Sequence, residues 1–430
     1  MSEPKLLIVT TSYPPKGGPG VQRNLKLTKY FPHFGFKPYV LTHKEVFFPV
    51  VDYDLLSEIP REAEIIRTET FDPKRIAFIF LNKKEKSSTK GNVKIQENSF
   101  FYNFYRFLVK WILIPDVGIL WLPFAVFSGV KLIRKEKISV IIGSCPGGSS
   151  LLISRILSKV TGVPFVCDFR DGWTDYPYHN YPTAIHRKLD AWLESMVIPK
   201  ADLLIPFGSF LTEKLISRYS ISKDKFVEIS NGYDPADFKE LKVEIIPGGR
   251  KKIIHSGNVM EYRQEAFATL VKGIIELPIP FRERIVFEFI GNVNPASIQL
   301  VDEAELRDNF IFYGYLPHKE ALAKLVSADG SIILLPVGDL AAVTGKIFEY
   351  IAIDKTIISI CEPESGCGKL TREINSIDTV IHPKDYKKVS RVLQEVVNQG
   401  FPQLKLGSRD KYSRKKQTER FAMALHSLLS

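Results

Sequence analysis

The sequence contains two separate series of short apolar segments that alternate with helical segments. The first series predicts strands over 5–12, 37–42, 139–144, 164–169, 202–207 and 226–230. The second series predicts strands over 251–257, 285–291, 310–314, 331–336, 356–360 and 378–381. Continuous apolar strands separated by helices are typical of parallel sheets that are covered on both faces. The pattern therefore predicts an α/β chain with two doubly wound, Rossmann-like domains.

The joint between these domains is predicted within 236–252, which is charged, contains PGG and has neither period. We expect an N-terminal domain over 1–242 and a C-terminal domain over 250–409. The tail begins polar and basic and then turns amphipathic, so 410–430 is predicted to return as a helix to the first domain. The polar, Lys-rich residues 82–98 predict a mobile surface loop.

Composition and charge exclude several classes of protein. Of the 430 residues, 45% are hydrophobic and 25% are charged, which excludes a collagen-like, low-complexity or disordered chain. The net charge of +11 favours an anionic partner such as nucleotide phosphates, anionic lipid or nucleic acid. The four cysteines form no CxxC or zinc-ligand spacing, and the first residues do not resemble a secretory signal. We therefore expect a reducing, cytoplasmic compartment.

Two neighbouring apolar segments raise the question of a membrane. Residues 111–130 are apolar enough to span a bilayer, but they contain Asp116 and two prolines, which favours a loop and helix buried in a domain core. Residues 100–111 alternate aromatic side chains with Arg106 and Lys110. Aromatic rings with basic neighbours suit a lipid headgroup interface, and a core-facing helix with two solvated charges explains the pattern equally well.

Two motifs of the first domain can bind a ligand. PPKGGPGVQR (14–23) lies between the first strand and its helix, where glycines allow backbone amides to approach an anion. Its spacing matches neither GxGxxG nor the P-loop, so an ordinary tight turn is an equal alternative. DFRD (168–171) follows a strand at its carboxyl end, where ligands bind in open α/β sheets. A salt-bridged strand end is the alternative interpretation of this motif.

A third motif, HSGNVMEYR (255–263), lies at the first strand-to-helix turn of the second domain. Gly257 permits close approach to the backbone, and Arg263 near the start of the helix can bind a phosphate in bidentate fashion. The histidines of the chain, His255 included, show no triad or HxxxH spacing, so we expect them to be structural.

The fourth motif, TGKIFEYIA (344–352), opens a helix with Gly345 and Lys346. Glu349 lies on the same helix face as Lys346, within reach of a vicinal diol. Phosphate near the lysine and ribose hydroxyls near the glutamate form a coherent nucleotide site. A simple i,i+3 ion pair explains the lysine and the glutamate but leaves the glycine unexplained.

Taken in order, the four motifs resemble retaining glycosyltransferase family 4, whose members have the GT-B fold: two Rossmann-like domains facing a central cleft. VPFVCDFRDGWTDYPYHN is similar to a DFRDxW subgroup found in bacterial surface-polysaccharide clusters. ISNGYDPADF resembles the turn before the family's linker, and KIFEYIAIDKTIIS resembles its signature helix. The resemblance covers nearly the whole chain except about 70–110.

In the second domain, the resemblance implies that Glu349 binds the ribose of a nucleotide sugar and that Gly345 and Lys346 meet the diphosphate. Arg263 matches the second basic residue of the family's GRLxxxK pattern, in which Gly257 is the glycine.

Further matches concern the nucleobase and the first domain. Tyr315 and Leu316 would border the base, and Gly17 and Gly18 would face the diphosphate.

The resemblance also implies two residues at the acceptor, and the sequence differs from the family pattern at two positions. Asp168 and Arg170 would line the acceptor cleft. The arginine of the GRL pattern is Asn258 here, and Ala341 stands where the family has a glutamate. Lys16 is a candidate for the missing positive charge.

The resemblance implies a retaining, metal-independent hexosyl- or hexosaminyltransferase that uses a nucleotide-diphosphate sugar, UDP in preference to GDP, and no cofactor. The residues expected to act in catalysis are Asp168, Arg170, Arg263 and Lys346. The expected acceptor is a lipid-linked saccharide, such as one carried on polyprenyl diphosphate, in polysaccharide or lipopolysaccharide assembly. An anionic membrane surface at the inner face of the plasma membrane is an expected partner, and nucleic acid is not. The alternatives are a nucleotide-sugar 2-epimerase of the same fold and a catalytically degenerate nucleotide-sugar-binding partner protein.

Overall fold

The computed structural model describes residues 3–44, 51–71, 100–176, 179–239, 241, 249–340, 343–405, 407 and 409–430. Its contacts divide the chain into two compact units, Met1–Ser230 with Gln417–Ser430 (unit 1) and Asn231–Lys416 (unit 2). The chain therefore passes from unit 1 to unit 2 at Asn231 and returns to unit 1 at Gln417. The sequence analysis placed the joint within 236–252 and the returning segment at 410–430. The predicted loop at 82–98 and residues 240 and 242–248 of the predicted joint lie outside the described residues.

Unit 1 contains a sheet of six parallel strands in the order β3-β2-β1-β4-β5-β6. The strands are β1 (Lys5–Val9), β2 (Lys37–His43), β3 (Glu64–Thr68), β4 (Val140–Cys145), β5 (Phe165–Phe169) and β6 (Leu203–Ile205). The helices of this unit are α1 (Pro19–Tyr30), α2 (Phe100–Trp111), α3 (Leu122–Glu136), α4 (Gly148–Thr161), α5 (Ala184–Val197) and α6 (Ser209–Tyr219). Both faces of β1 and β4 are buried, which explains their continuous apolar sequences.

The predicted strand over 226–230 is wrong. Val227 and Ile229 donate backbone hydrogen bonds to Leu204 and Pro206, so the segment lies along β6. It forms only an isolated bridge, because Pro206, directly after β6, has no backbone N–H with which to continue the ladder. Its apolar side chains pack in the core of unit 1, and this packing produced the strand-like pattern.

Unit 2 contains a second sheet of six parallel strands in the order β12-β11-β10-β7-β8-β9. The strands are β7 (Lys251–Ser256), β8 (Ile285–Ile290), β9 (Phe310–Gly314), β10 (Gly330–Leu334), β11 (Ile357–Ile360) and β12 (Val380–Ile381). The helices are α7 (Gln264–Ile275), α8 (Ile279–Arg282), α9 (Pro295–Glu303), α10 (His318–Ser327), α11 (Lys346–Ala352), α12 (Gly366–Ile374) and α13 (Tyr386–Gln399). Since the two sheets have the same strand order, the prediction of two doubly wound α/β domains is confirmed.

One helical segment among the described residues, Val117–Glu136, is long and apolar enough to cross a membrane. It consists of the 3-10 turn Val117–Trp121 followed by α3. Trp121 is fully buried and its indole Nε1 donates to Thr68 Oγ1 at 2.6 Å. Gly129 lies so close to Leu157 of α4 that an added Cβ would come within 2.8 Å of that side chain. The segment therefore serves unit 1 as a loop and helix packed on its core, the favoured alternative from the sequence.

The last helix, α14 (Arg414–Leu429), packs on unit 1 through its C-terminal part. Phe421, Ala422 and Leu425 are buried in the same cluster as β1 and β2 side chains. The ring of Phe421 lies edge-on to Phe31, with 5.6 Å between centroids. Residues near the end of the chain thus complete the core of the first unit.

We expect Phe421→Ala to lower the melting temperature by roughly 5 °C or more, because a fully buried phenylalanine is worth about 3–5 kcal/mol. Met423→Ala is the matched control, since Met423 lies two residues away on the exposed side of α14. Thermal unfolding followed by circular dichroism measures both. Equal melting temperatures for the two variants would show that α14 does not contribute to the core of unit 1.

Candidate functional site

The carboxyl ends of β7 and β10 form the switch point of the sheet in unit 2. These strands are neighbours, and the chain proceeds from β7 to β8 and β9 on one side and from β10 to β11 and β12 on the other. Loops that leave the two strands therefore diverge and open a crevice, which is where ligands bind in open α/β sheets. The motifs at 255–263 and 344–352 follow these two strands.

A small pocket at this switch point brings two predicted residues together. Arg263 follows β7, and Lys346 begins α11 after β10. The pocket is lined by His255, Ser256, Arg263, Ile333, Leu334, Leu335, Thr344, Lys346 and Tyr350. Two cations that are distant in sequence thus face the same space, as a phosphate site requires.

His255 lies in the wall of this pocket and was expected to be merely structural. Its Nδ1 is 2.9 Å from the carbonyl oxygen of Ile332 on β10. Because a carbonyl only accepts, Nδ1 carries the proton and Nε2 presents a lone pair. That Nε2 is buried and has no hydrogen-bond partner among the described residues. Burial lowers the pKa of His255 to about 3, and nearby Arg263 and Lys346 act in the same direction.

The turn after β7 is shaped by glycine and by hydrogen bonds to Asn258. Gly257 has a φ of 149°, and its amide donates to Ile290 at 2.7 Å. Asn258 accepts through Oδ1 from the amide of Asn292 at 2.9 Å, and its carbonyl accepts from Arg263 Nη1 at 2.8 Å. The backbone carbonyl of residue 258 therefore orients Arg263, whereas the side chain of Asn258 joins two loops. An arginine at this position would keep the first contact but has no acceptor for the second.

The fourth motif adopts the arrangement of its simpler interpretation. Lys346 Nζ lies 3.2 Å from Glu349 Oε2 along α11, and both side chains are partly exposed. The amide of Lys346 lies 3.4 Å from Thr344 Oγ1, and Gly345 precedes the helix in open space. Tyr350, one residue further, is buried and its hydroxyl accepts from the amide of Ser256 at 2.7 Å. This hydrogen bond fixes α11 against the end of β7.

Tyr315 and Leu316 follow β9, on the other side of β7 from the pocket. Tyr315 is exposed, whereas Leu316 is half-buried against the core of unit 2. Neither lines the pocket that contains Arg263 and Lys346. Ala341, which stands at the family's glutamate position, lies outside the described residues.

In unit 1, the glycine loop and the DFRD motif meet at the carboxyl end of the sheet. Gly18 has a φ of 95° and precedes α1, while Gly17 is half-buried. A Cβ at Gly20 would lie 3.0 Å from Arg170 Nη1, so the glycine makes room for that guanidinium. Arg170 pairs with Asp171 at 2.9 Å, and its Nε is buried without a hydrogen-bond partner among the described residues. Lys16 Nζ lies 3.3 Å from Thr11 O and from Ser12 Oγ in the same loop.

Asp168 is fully buried and is bound by an arginine that the sequence analysis did not single out. Arg23, within the glycine-loop motif, donates through Nη2 and Nε to Asp168 at 2.6 and 3.0 Å. Arg23 also donates to the carbonyls of Ser230 at 2.9 Å and Ile229 at 3.2 Å. This is the salt-bridged strand end that was the alternative interpretation of DFRD. Asp168 therefore joins β5 to α1 and to the end of the first segment of unit 1, and it does not line an accessible surface.

Comparisons with known proteins agree with this fold. Residues 90–237 match the model of Glycosyltransferase Family 4. No curated protein sequence matches the chain. The lipopolysaccharide outer core galactosyltransferase WaaB has a TM-score of 0.58 and 10% identity, and the match covers 98% of this chain and 99% of that one.

Two further solved structures match over nearly their whole lengths. HepE of Anabaena, in complex with UDP, has a TM-score of 0.54 and 11% identity, with 99% of this chain and 97% of that chain covered. A putative UDP-N-acetylglucosamine 2-epimerase from Listeria monocytogenes has a TM-score of 0.54 and 12% identity, with 98% and 96% covered. At such identities the likeness shows the fold alone, which is the two-domain glycosyltransferase fold.

His255 predicts an acid-dependent loss of stability. Its pKa is about 3 in the folded chain and about 6.5 when unfolded, so between these values the unfolded chain binds a proton that the folded chain does not. Stability is fully present above about pH 6.5 and falls on the order of 1 kcal/mol per pH unit below it. His255→Asn, which keeps a donor for Ile332, should flatten this slope, whereas exposed His318→Asn should not. Denaturant unfolding between about pH 4 and 7 measures the slopes, and identical slopes in all three proteins would contradict the assignment.

Arg23→Met should destabilise the protein by about 3–5 kcal/mol, because it leaves the buried Asp168 carboxylate without a cation. Combining it with Asp168→Leu removes the unpaired charge and should recover a large part of that loss. Exposed Arg61→Met is the control and should have little effect. Denaturant unfolding reports the three free energies, and a loss below about 1 kcal/mol in the single variant is incompatible with a buried ion pair.

Proposed function

We propose that the protein is a glycosyltransferase that transfers a sugar from a nucleoside-diphosphate sugar to a saccharide acceptor. The observation that carries the proposal is the convergence of Arg263 and Lys346 on one pocket at the switch point of unit 2. The match of residues 90–237 to the glycosyltransferase model and the fold shared with a lipopolysaccharide galactosyltransferase support it. We propose UDP as the carrier in preference to GDP, which is supported by the complex of HepE with UDP.

The diphosphate would bind between Arg263 and Lys346. Lys346 is now held by Glu349 at 3.2 Å in a partly exposed ion pair, and such pairs contribute little to stability. A diphosphate that carries two negative charges would therefore compete well for the lysine ammonium. Glu349 would then be released to accept hydrogen bonds from the two ribose hydroxyls.

The proposed chemistry is transfer with retention at the anomeric carbon. The bond from that carbon to the diphosphate oxygen breaks, the acceptor hydroxyl forms the new bond, and its proton passes to the departing diphosphate. Arg263 and Lys346 would stabilise the negative charge that develops on the leaving group, an effect typically worth about 2.7–4 kcal/mol per donor. These two cations would supply the charge that a metal ion provides elsewhere, so we propose that turnover needs no metal and no cofactor.

His255 would act in this pocket as a hydrogen-bond acceptor. Its Nε2 lone pair is buried beside two cations, and its low pKa keeps the ring neutral. A sugar or ribose hydroxyl that enters the pocket can donate to it. Since the ring stays neutral through the physiological range, His255 would position the donor and would not act as an acid.

In unit 1, Arg170 and the amides near Gly17 and Gly18 remain candidates for contact with acceptor or donor phosphates. Arg170 retains an Nε without a hydrogen-bond partner in the part of the chain that the structure describes. Asp168 would act indirectly, because its carboxylate holds Arg23 and thereby the glycine loop. We propose that Asp168 is a positioning residue in the transfer reaction, in place of the direct contact that the family resemblance implies.

The proposed acceptor is a saccharide linked to polyprenyl diphosphate or another lipid, used in cell-surface polysaccharide or lipopolysaccharide assembly in the bacterial cytoplasm. Two other functions are compatible with the fold. A 2-epimerase would change the nucleotide sugar without an acceptor and without release of the nucleotide, as the fold of the Listeria structure allows. A degenerate binding partner would bind the nucleotide and turn over no donor.

Lys346→Ala should reduce donor turnover by roughly tenfold or more, since it removes one of two cations from the leaving diphosphate. Lys369→Ala is the matched control, because Lys369 lies on the exposed surface of α12 in the same unit. Release of nucleoside diphosphate from a panel of sugar donors, with and without saccharide acceptors, measures turnover. Unchanged turnover in Lys346→Ala would refute its phosphate role, and absence of turnover with every donor would favour the degenerate partner.

A further inference from the structure

Helix α5 (Ala184–Val197) presents a stripe of large apolar side chains to solvent, although Leu193 and Val197 pack on the core of unit 1. Asp190 and Glu194 are buried beneath the helix, although carboxylates are rarely buried. On the opposite face, Ile185 is 75% exposed and Trp192 is 54% exposed. Leu189 and Met196 are exposed in the same stripe, at helical spacing. The helix therefore exposes an apolar stripe where an ordinary surface helix is polar, and it places two carboxylates on its buried face.

Hydrogen bonds of the two buried carboxylates fix this orientation. Asp190 accepts from Trp173 Nε1 at 2.8 Å and from the hydroxyl of Tyr181. Glu194 accepts from Thr174 Oγ1 at 2.6 Å, Arg218 Nη1 at 3.0 Å and Tyr219 OH at 2.8 Å. Rotation of α5 to bury its apolar stripe would expose these groups and break five hydrogen bonds. The outward apolar stripe is thus a fixed feature of the unit.

Helix α2 (Phe100–Trp111) extends the same surface. His186 Nε2 on α5 lies 3.1 Å from the carbonyl oxygen of Trp111, and the two rings are 5.6 Å apart. Among the side chains that the structure describes, the large exposed apolar ones on the two helices and at the residue after α2 are Phe104, Phe107, Trp111, Ile112, Ile185, Leu189, Trp192 and Met196. We name these eight residues the apolar face. Monomeric proteins seldom expose large apolar patches without a binding partner.

The charges beside the apolar face are positive. Arg106 and Lys110 on α2 and Arg187 and Lys188 on α5 are exposed. Residues 100–115 contain no Asp or Glu. The two carboxylates of helix α5, Asp190 and Glu194, are both buried. A surface with aromatic and aliphatic side chains and only basic neighbours has the chemistry that binds an anionic bilayer.

We propose that the apolar face docks unit 1 on an anionic lipid membrane. The aromatic rings would enter the headgroup and upper acyl region, while the arginines and lysines contact lipid phosphates. Two signals, apolar insertion and basic charge, are the combination that gives stable yet reversible attachment. The sequence pointed to 100–111 alone, and the structure adds the stripe of α5.

A second copy of the chain fits this surface less well than a membrane does. A symmetric contact would bring the same patch of both copies together and so place Arg106, Lys110, Arg187 and Lys188 opposite like charges. An anionic bilayer instead neutralises every one of these residues. The surface itself is argued from geometry, whereas its role of presenting a lipid-linked acceptor rests on the proposed function.

The four tryptophans of the chain make the docking directly measurable. Trp121 and Trp173 are buried in unit 1, whereas Trp111 and Trp192 belong to the apolar face. Vesicles of phosphatidylcholine and phosphatidylglycerol with brominated acyl chains should quench part of the tryptophan fluorescence at low salt. Replacing Trp111 and Trp192 by Phe should abolish the quenching while vesicle co-sedimentation persists. Co-sedimentation without any quenching of the wild-type chain would overturn the apolar face as the inserted surface.

Matched variants test which residues bind the membrane. Leu189→Ser with Trp192→Ser, and separately Arg187→Glu with Lys188→Glu, should each reduce co-sedimentation at least severalfold. Ile279→Ser with Met423→Ser removes exposed apolar residues elsewhere and should bind vesicles like wild type. All variants should keep the melting-temperature response to UDP. A wild-type chain that responds to UDP but does not bind vesicles would therefore refute docking and leave the proposed function standing. Equal vesicle binding by every variant, or a wild-type dimer that Leu189→Ser with Trp192→Ser converts to monomer without lipid binding, would overturn the proposal.

Discussion

The order of the parallel strands is the constraint on which both units depend. In each sheet, successive strands lie on one side of β1 or β7 until the chain returns to the other side, and this reversal occurs beside the first strand. The loops that follow the two central strands are then driven apart at their carboxyl ends. In unit 2 this geometry brings Arg263 and Lys346 to the same pocket without any direct sequence relation between them. The strand order therefore fixes where the candidate site lies, and the side chains on the two loops decide what it can bind.

Both units keep polar groups inside the protein at places where an ordinary core would be apolar. His255 binds β10 through one nitrogen, which ties the site to the sheet, and it leaves the other nitrogen available. Burial lowers its pKa to about 3. The Arg23–Asp168 pair joins three segments of unit 1 but leaves neither charge accessible. Buried charged or polar groups lower the free energy of unfolding unless well-placed hydrogen bonds or an ion pair offset the cost of removing them from water. The Asp168 carboxylate is bound by Arg23, whereas His255 Nε2 has no hydrogen-bond partner among the described residues. This difference agrees with the proposed roles, in which Asp168 positions the glycine loop and His255 accepts a hydrogen bond from a ligand.

Much of this could be predicted from sequence, because apolar strands and helical periods report burial directly. Five strands of the first sheet and six of the second were predicted, while β3 was missed since Glu64 and Arg67 interrupt its apolar run. Arg263 and Lys346 were found from motif position. Arg23 was missed, although an arginine inside a glycine loop was the available signal, and His255 was set aside because a single histidine does not reveal its burial. The outward position of the apolar stripe of α5 depends on partners such as Trp173 and Arg218, which no local pattern identifies.

The central claim, a nucleoside-diphosphate site at the end of β7 and β10, is tested most directly by ligand-dependent melting. UDP, GDP, ADP and CMP would each be added to the wild-type chain and to Glu349→Ala. A ligand at 100 times its dissociation constant adds about 2.7 kcal/mol, which is readily visible as a shift in melting temperature. The account predicts that UDP raises the melting temperature most and that Glu349→Ala removes the rise. No shift with any diphosphate, or an undiminished shift in Glu349→Ala, would contradict the site.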